Sequence, residues 1–278
     1  MAELRSIPAC FAADAVAAID ARLDAICAEH EVAIPLAIES GSRAWGFPSP
    51  DSDYDCRFVF VRPVSQHLSP WPRRDVIETP LDGDLDVNGW ELGKAVKLLL
   101  KGNAVIIEWL RSPILYRGES WFRDAFLDFA ERHADRDLIA RHYLHLGERQ
   151  RRVHFSDGQR VAGKKIFYAL RPAAALRWLR LHPDEAVAPM HFPTLMAECD
   201  PSVPVADLIA ELIARKAVTH ELDAGPLPAA IAAFIDVEFE LARERYGEKA
   251  FQLPDGVRLD AERFVRGVIE LAFEATSH

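Results

Sequence analysis

The sequence predicts an α+β domain over residues 1–117 followed by an all-helical domain over residues 118–278. Three observations carry that prediction. The first hundred or so residues hold short apolar runs at a period of two, such as Val32, Ile34, Leu36 and Ile38, bounded by Gly, Pro and Asp. From Ser120 onward the apolar residues recur at helical spacing instead. A chain of 278 residues is long enough for one large domain or two modest ones, with a sizeable core in either case.

In chain order, residues 12–30 read as a helix with Ala15, Ile19, Leu23 and Ile26 on one face. A strand follows over about 32–38. Pro35 interrupts it and, lacking an N–H, predicts an edge strand or a bulge. Gly41-Ser42 leaves this strand and enters a short helical turn, 43–46, and a loop rich in Pro and Ser leads to a strand over about 54–62. Residues 63–74, with Pro63, Pro70 and Pro72, read as a loop lying over the site described below. Two strands, 75–79 and 84–88, are joined through the hairpin signal Asp82-Gly83. A helix over 91–101 ends at Gly102, and Asn103 caps a short helix that stops before Ser112-Pro113. Helices are then expected over 120–132, 136–153, 160–181, 205–222, 228–246 and 259–274, with Pro172 starting or kinking one of them.

Composition excludes several classes. Half the residues are apolar, yet no apolar run approaches the ~20 residues that span a bilayer. The N-terminus carries acidic residues and reads as an amphipathic helix, not a signal peptide. Cys10, Cys27, Cys56 and Cys199 show no paired spacing for zinc or disulfides, as expected of a cytoplasmic protein. The net charge of −10 argues against a protein that coats nucleic acid non-specifically. Residues 141–180, however, hold ten Lys and Arg against Glu148 and Asp157, a local +8 that leaves −18 elsewhere. Aromatic residues interleave with these charges, as they would on a phosphate-binding surface.

The chemistry concentrates between residues 39 and 62. Asp53 and Asp55 project from one face of a strand with Cα atoms ~6.5 Å apart. Carboxylates so close repel unless a cation lies between them, and hard oxygen ligands suit Mg²⁺. Ten residues upstream, Gly41-Ser42 offers backbone N–H groups and a hydroxyl to a phosphate. A phosphate cradle followed by a metal-binding Asp-x-Asp strand describes a site for a metal–nucleotide complex. On the later helix, Lys164, Tyr168 and Arg171 share one face at i, i+4 and i+7, where they can grip a triphosphate and stack a base. His142 and His145 lack a third ligand. Asp135 and Asp137 repeat the Asp-x-Asp pattern, but at a helix start, where capping explains them.

Gly-Ser, a gap of ten residues and Asp-x-Asp resemble the signature of DNA-polymerase-beta-type nucleotidyltransferases. The text GSRAWGFPSPDSDYDCRF (41–58) looks like the RNA-ligase- or RNA-repair-associated branch of that superfamily, as do residues 85–116 and 164–179. The resemblance implies a small mixed sheet with flanking helices. It also implies two Mg²⁺ (or Mn²⁺) ions held by Asp53 and Asp55, and a third carboxylate on a neighbouring strand. Asp86 has that setting and Asp84 shares its facing. The chain would move an NMP from an NTP to an acceptor hydroxyl, with Gly41, Ser42 and Arg43 on the phosphates. The acceptor could be an RNA end on the basic 141–180 segment. Alternatives are a protein or small-molecule acceptor, or a non-catalytic nucleotide-binding module.

Overall fold

The computed structural model describes residues 3–155, 161–219, 224–246 and 251–274. Its centre is a six-stranded mixed sheet in the order β1-β6-β2-β3-β5-β4, formed by β1 (Glu3–Ser6), β2 (Ala33–Ser40), β3 (Tyr54–Val61), β4 (Val76–Glu78), β5 (Leu85–Glu91) and β6 (Leu115–Glu119). β3 and β5 are parallel, and every other pair is antiparallel.

β2 lies inside this sheet, between β6 and β3, so Pro35 does not mark an edge. It marks the bulge: the register of β2 against β3 shifts between Ala33 and Leu36. One extra residue reverses the alternation of faces. Ile34 accordingly packs with helix α1 (Ala13–His30) on one face, while Leu36 and Ile38 pack on the other. The missing Pro N–H falls where the ladder is already broken.

β3 sorts its residues cleanly. Tyr54, Cys56, Phe58 and Phe60 face α1, with Ile19, Leu23 and Tyr116. Val59 and Val61 face the opposite core. Asp55 and Arg57 have the parity of Val59, so they lie on that second face. There the sheet is covered by α4 (Leu92–Leu100), α5 (Ala104–Leu110) and α6 (Ser120–His133). The caps fall where the side chains allow: Glu91 accepts from the N–H groups of Gly93 and Lys94, and Asn103 from that of Val105. Gly102, at φ 76°, takes the left-handed turn between these two helices.

The same buried cluster continues into α7 (Arg136–His154), α8 (Gly163–Leu181), α9 (Phe192–Glu198), α10 (Val203–Val218), α11 (Ala229–Arg245) and α12 (Asp255–Glu274). Phe47, in the loop after the Gly-Ser turn, stacks on Phe167 of α8 at 4.2 Å between ring centroids and meets Phe192 of α9 edge-on at 5.7 Å. The helical region is thereby packed directly against the loop that carries the site. Asp135 caps α7 by accepting from Asp137 and Leu138 N–H, as expected. Pro172 neither starts nor ends a helix and lies inside α8. No helix among the described residues is long and apolar enough to cross a membrane.

Several elements depart from the sequence expectation. β1 and β6 add two strands on the far side of β2, and β6 runs across residue 117. A single helical turn, α3 (Val64–His67), opens the 63–74 segment. That segment leaves the end of β3 opposite to Asp55, roughly 20 Å away at 3.3 Å per residue, and so does not cover the site. Short strands β7 (Val161–Ala162) and β8 (Ala224–Gly225) pair within the helical region.

Candidate active site

The site forms where β2 ends and β3 begins. Ser40 is paired with Asp55 across β2 and β3, and Asp55 with Asp86 across β3 and β5. Register alone therefore brings the Gly-Ser turn, the Asp-x-Asp strand and a third carboxylate side by side. Asp84 does not share this position. It is exposed in the turn before β5, where its carbonyl accepts from Tyr54 N–H at 2.8 Å.

Gly41 begins the turn α2 (Gly41–Trp45) at φ 69°, a left-handed conformation that favours glycine. A Cβ on Gly41 would fall 2.1 Å from Asp55 Oδ2, so the main chain of the turn lies directly against that carboxylate. Ser42 Oγ donates to Ser52 Oγ at 2.8 Å, and Ser52 Oγ accepts from Ser49 N–H at 2.8 Å, which ties the turn to the following loop. Arg43 reaches along this loop: Nη2 donates to Ser52 O at 2.6 Å and Nε to Asp53 O at 3.1 Å, with the guanidinium 4.0 Å over the Tyr54 ring. It shapes the loop and is not among the side chains lining the cleft.

Asp53 is exposed just before β3, whereas Asp55 is partly buried. Burial raises the Asp55 carboxyl above its ordinary range; Arg57 opposes this, and the carboxylates of Asp86 and Asp53 add to it. Arg57 holds the pair together. Its Nη2 donates to Asp86 Oδ2 at 2.6 Å and Asp55 Oδ1 at 3.1 Å, and Nη1 donates to the carbonyls of Asp86 at 2.7 Å and Cys56 at 3.0 Å. The other Asp86 oxygen accepts from Asn88 Nδ2.

Beneath the strand, Glu39 is fully buried. Its Oε1 accepts from Asp55 N–H at 3.0 Å and its Oε2 accepts from the Tyr116 hydroxyl. Burial pushes this carboxyl up to about 8, against the lowering effect of those two hydrogen bonds.

The helices supply the opposite wall of a cleft of about 490 Å³, within the usual range for small-molecule sites. Leu146 and Gln150 of α7, Tyr168 and Arg171 of α8, Glu108 of α5 and Lys216 of α10 line it together with Ser42, Asp53 and Asp55. Arg171 donates to Glu108 Oε1 at 2.6 Å, Glu108 also accepts from the Tyr143 hydroxyl at 3.3 Å, and the guanidinium lies 3.7 Å over the Trp45 ring. Trp45 lines the cleft too, and its indole N–H is buried without a hydrogen-bond partner. Lys216, itself buried, donates to Phe47 O at 2.6 Å.

Of the residues singled out in the sequence, Gly41, Ser42, Asp53, Asp55, Tyr168 and Arg171 line this one cleft. Asp86 joins them through Arg57. Lys164 belongs to α8, but its side chain lies outside the described residues. The basic 141–180 segment is partly neutralised by acids from elsewhere in the chain: Arg151 pairs with Asp236, Arg171 with Glu108, and Arg177 and Arg180 with the buried Glu238. Sequence reasoning missed Arg57, Glu39, Trp45, Gln150 and Lys216. Arg57 alone had a readable signal, since it shares the strand face of Asp53 and Asp55.

Among the described residues no three His, Cys, Asp or Glu side chains stand close enough to hold a metal in the arrangement seen. The donor chemistry nonetheless fits a divalent ion. Hard carboxylate oxygens on adjacent strands already gather around one positive charge, the Arg57 guanidinium.

The family model described as RlaP, RNA repair pathway DNA polymerase beta family, matches residues 16–261. A Bacillus subtilis (strain 168) protein described as "Uncharacterized protein YcgL" is 37% identical over 215 residues, which cover 77% of this chain and 82% of that protein. No solved structure matches the chain.

Proposed function

Since the chain belongs to the RNA repair pathway DNA polymerase beta family, we propose that it is a metal-dependent nucleotidyltransferase that moves an NMP from an NTP to the hydroxyl of an RNA end. The observation that carries this reading is the register Ser40–Asp55–Asp86, which sets the Gly-Ser turn beside Asp55 in the cleft and Asp86, on the next strand, against Asp55.

In this reading Asp53 and Asp55 would hold Mg²⁺ or Mn²⁺ with Asp86 as the third carboxylate, and the metal, when bound, would supply activation of the acceptor hydroxyl and neutralisation of triphosphate charge. The chain's own groups do the rest. The N–H groups and hydroxyl of Gly41 and Ser42 hold the β and γ phosphates. Arg171, clamped by Glu108, and Lys164 add positive charge. Tyr168 presents an aromatic face to the base, and Trp45 backs the Arg171 guanidinium. Glu39 fixes the backbone of Asp55; as the acceptor oxygen bonds the α-phosphorus, Asp86 accepts its proton, and the bond to the β-phosphate breaks with pyrophosphate leaving. Gln150 of α7 also lines the cleft and offers an amide to the acceptor.

The test is transfer from each of the four α-labelled ribonucleotides, with Mg²⁺ or Mn²⁺, with and without total cellular RNA. The unmodified protein should label RNA, and Asp53→Asn and Asp55→Asn should each fall to background while melting normally. Retained transfer in either variant overturns the metal assignment. Label entering protein moves the acceptor to a polypeptide, a reading favoured by the four arginines of 141–180 engaged in internal pairs.

A further inference from the structure

Arg57 is held by four hydrogen bonds from one guanidinium, two to carboxylates on adjacent strands and two to main-chain carbonyls. It is partly buried, with 19% side-chain exposure, so its charge acts at short range and with little screening. Both oxygens of Asp86 are engaged, one by Arg57 and one by Asn88. Asp55 keeps Oδ2 against the Gly41 turn and gives Oδ1 to Arg57. The guanidinium therefore stands between Asp55 and Asp86, two of the carboxylates that would hold a divalent ion. Arg57 also lines the cleft, where an incoming triphosphate can reach it.

We propose that Arg57 is a resident counter-cation that makes metal binding depend on the nucleotide: it occupies the charge position between Asp55 and Asp86 until a triphosphate draws it away, so free divalent ions bind poorly and enter with the NTP. This rests on the nucleotidyltransferase reading and adds to it an order of binding. The physical basis is simple. A divalent ion entering beside a fixed guanidinium meets like-charge repulsion and finds part of the carboxylate oxygens engaged. A triphosphate offers the guanidinium stronger acceptors in bidentate geometry and releases Asp86.

The experiment is Mn²⁺ binding read by electron paramagnetic resonance, without nucleotide and with a non-hydrolysable NTP analogue. The proteins are the unmodified chain, Arg57→Gln, Arg57→Lys, and Asp53→Asn/Asp55→Asn. Removing a unit charge at contact distance should tighten free Mn²⁺ binding in Arg57→Gln by about tenfold or more, while Arg57→Lys, which keeps the charge, stays weak. The analogue should strengthen Mn²⁺ binding to the unmodified protein and add much less in Arg57→Gln. Should Asp55–Asp86 repulsion destabilise Arg57→Gln, Mn²⁺ alone should raise its melting midpoint more than that of the unmodified protein. Equal or weaker Mn²⁺ binding in Arg57→Gln, or tight nucleotide-free binding in the unmodified protein, overturns the proposal and leaves the metal site standing. Mn²⁺ binding that is absent throughout, or unchanged in Asp53→Asn/Asp55→Asn, overturns the metal site itself.

Discussion

Replacing Glu39 by Gln separates what its carboxyl does by shape from what it does by charge. Glu39 is fully buried between Asp55 N–H and the Tyr116 hydroxyl, and burial moves its pKa from the ordinary 4.5 to about 8. The folded protein thus keeps this proton up to about pH 8, while the unfolded chain releases it near 4.5. Between those values the unfolded state binds fewer protons, so stability falls as pH rises, and Glu39 contributes no slope outside the window. The gap, at 1.36 kcal/mol per pH unit, amounts to roughly 5 kcal/mol as an upper figure. A Gln side chain keeps an acceptor for Asp55 N–H and can donate its amide to the Tyr116 oxygen, but does not ionise. Urea unfolding at intervals from pH 4.5 to 9 measures the difference. The unmodified protein should lose several kcal/mol more than Glu39→Gln across the window, and the variant should be the more stable of the two at pH 8. Parallel stability curves from pH 4.5 to 8 would refute the assignment of a protonated, buried Glu39.

Two further substitutions probe the cleft. Gly41→Ala places a methyl group 2.1 Å from Asp55 Oδ2 in a left-handed backbone, so transfer should drop by about a hundredfold from displacement of that carboxylate and stability by roughly 1–2 kcal/mol from the backbone alone. Near-normal transfer kinetics would show that the turn does not position Asp55. Phe47→Ala removes the ring stacked on Phe167 and set edge-on to Phe192, and should cost about 3–5 kcal/mol in urea unfolding; a loss below about 1 kcal/mol would mean that the helices do not depend on this loop for their packing.

The fold was legible where local chemistry decides structure. Asn103 and Asp135 cap the helices expected of them, and Gly102 turns between two helices as a C-terminal glycine should. The misses have physical causes. β1 and β6 are four and five residues long, and β6 mixes Arg117 and Gly118 with apolar residues, so neither carries a readable alternation. Pro35 was ambiguous because an edge and a bulge solve the same problem of a missing N–H; only the neighbours of β2 distinguish them. Of the two expectations for Pro172, a helix start is excluded, because it lies inside α8. Its ring is buried beside Gly147 of α7, where a Cβ would meet Pro172 Cβ at 3.0 Å.

The site was legible as a motif and incomplete as a mechanism, because its partners come from register. Asp53, Asp55, Gly41 and Ser42 lie within fifteen residues of one another and announce themselves by spacing. Asp86 is distinguished from Asp84 only by the parallel pairing of β3 with β5, which sets Asp86 beside Asp55 and leaves Asp84 in solvent. The basic segment makes the same point about charge. Read linearly it is a +8 stretch, but Glu108, Asp236 and Glu238 return from distant positions to pair with four of its arginines. A cation on a helix counts toward an anionic partner only after the acids packed against it are known. Arg171 passes that test in a particular way: Glu108 holds it in place, and the hold aims its guanidinium at Trp45 and the cleft. Arg57 is the same device turned inward, a guanidinium fixed by carboxylates at the position where the proposed chemistry needs positive charge.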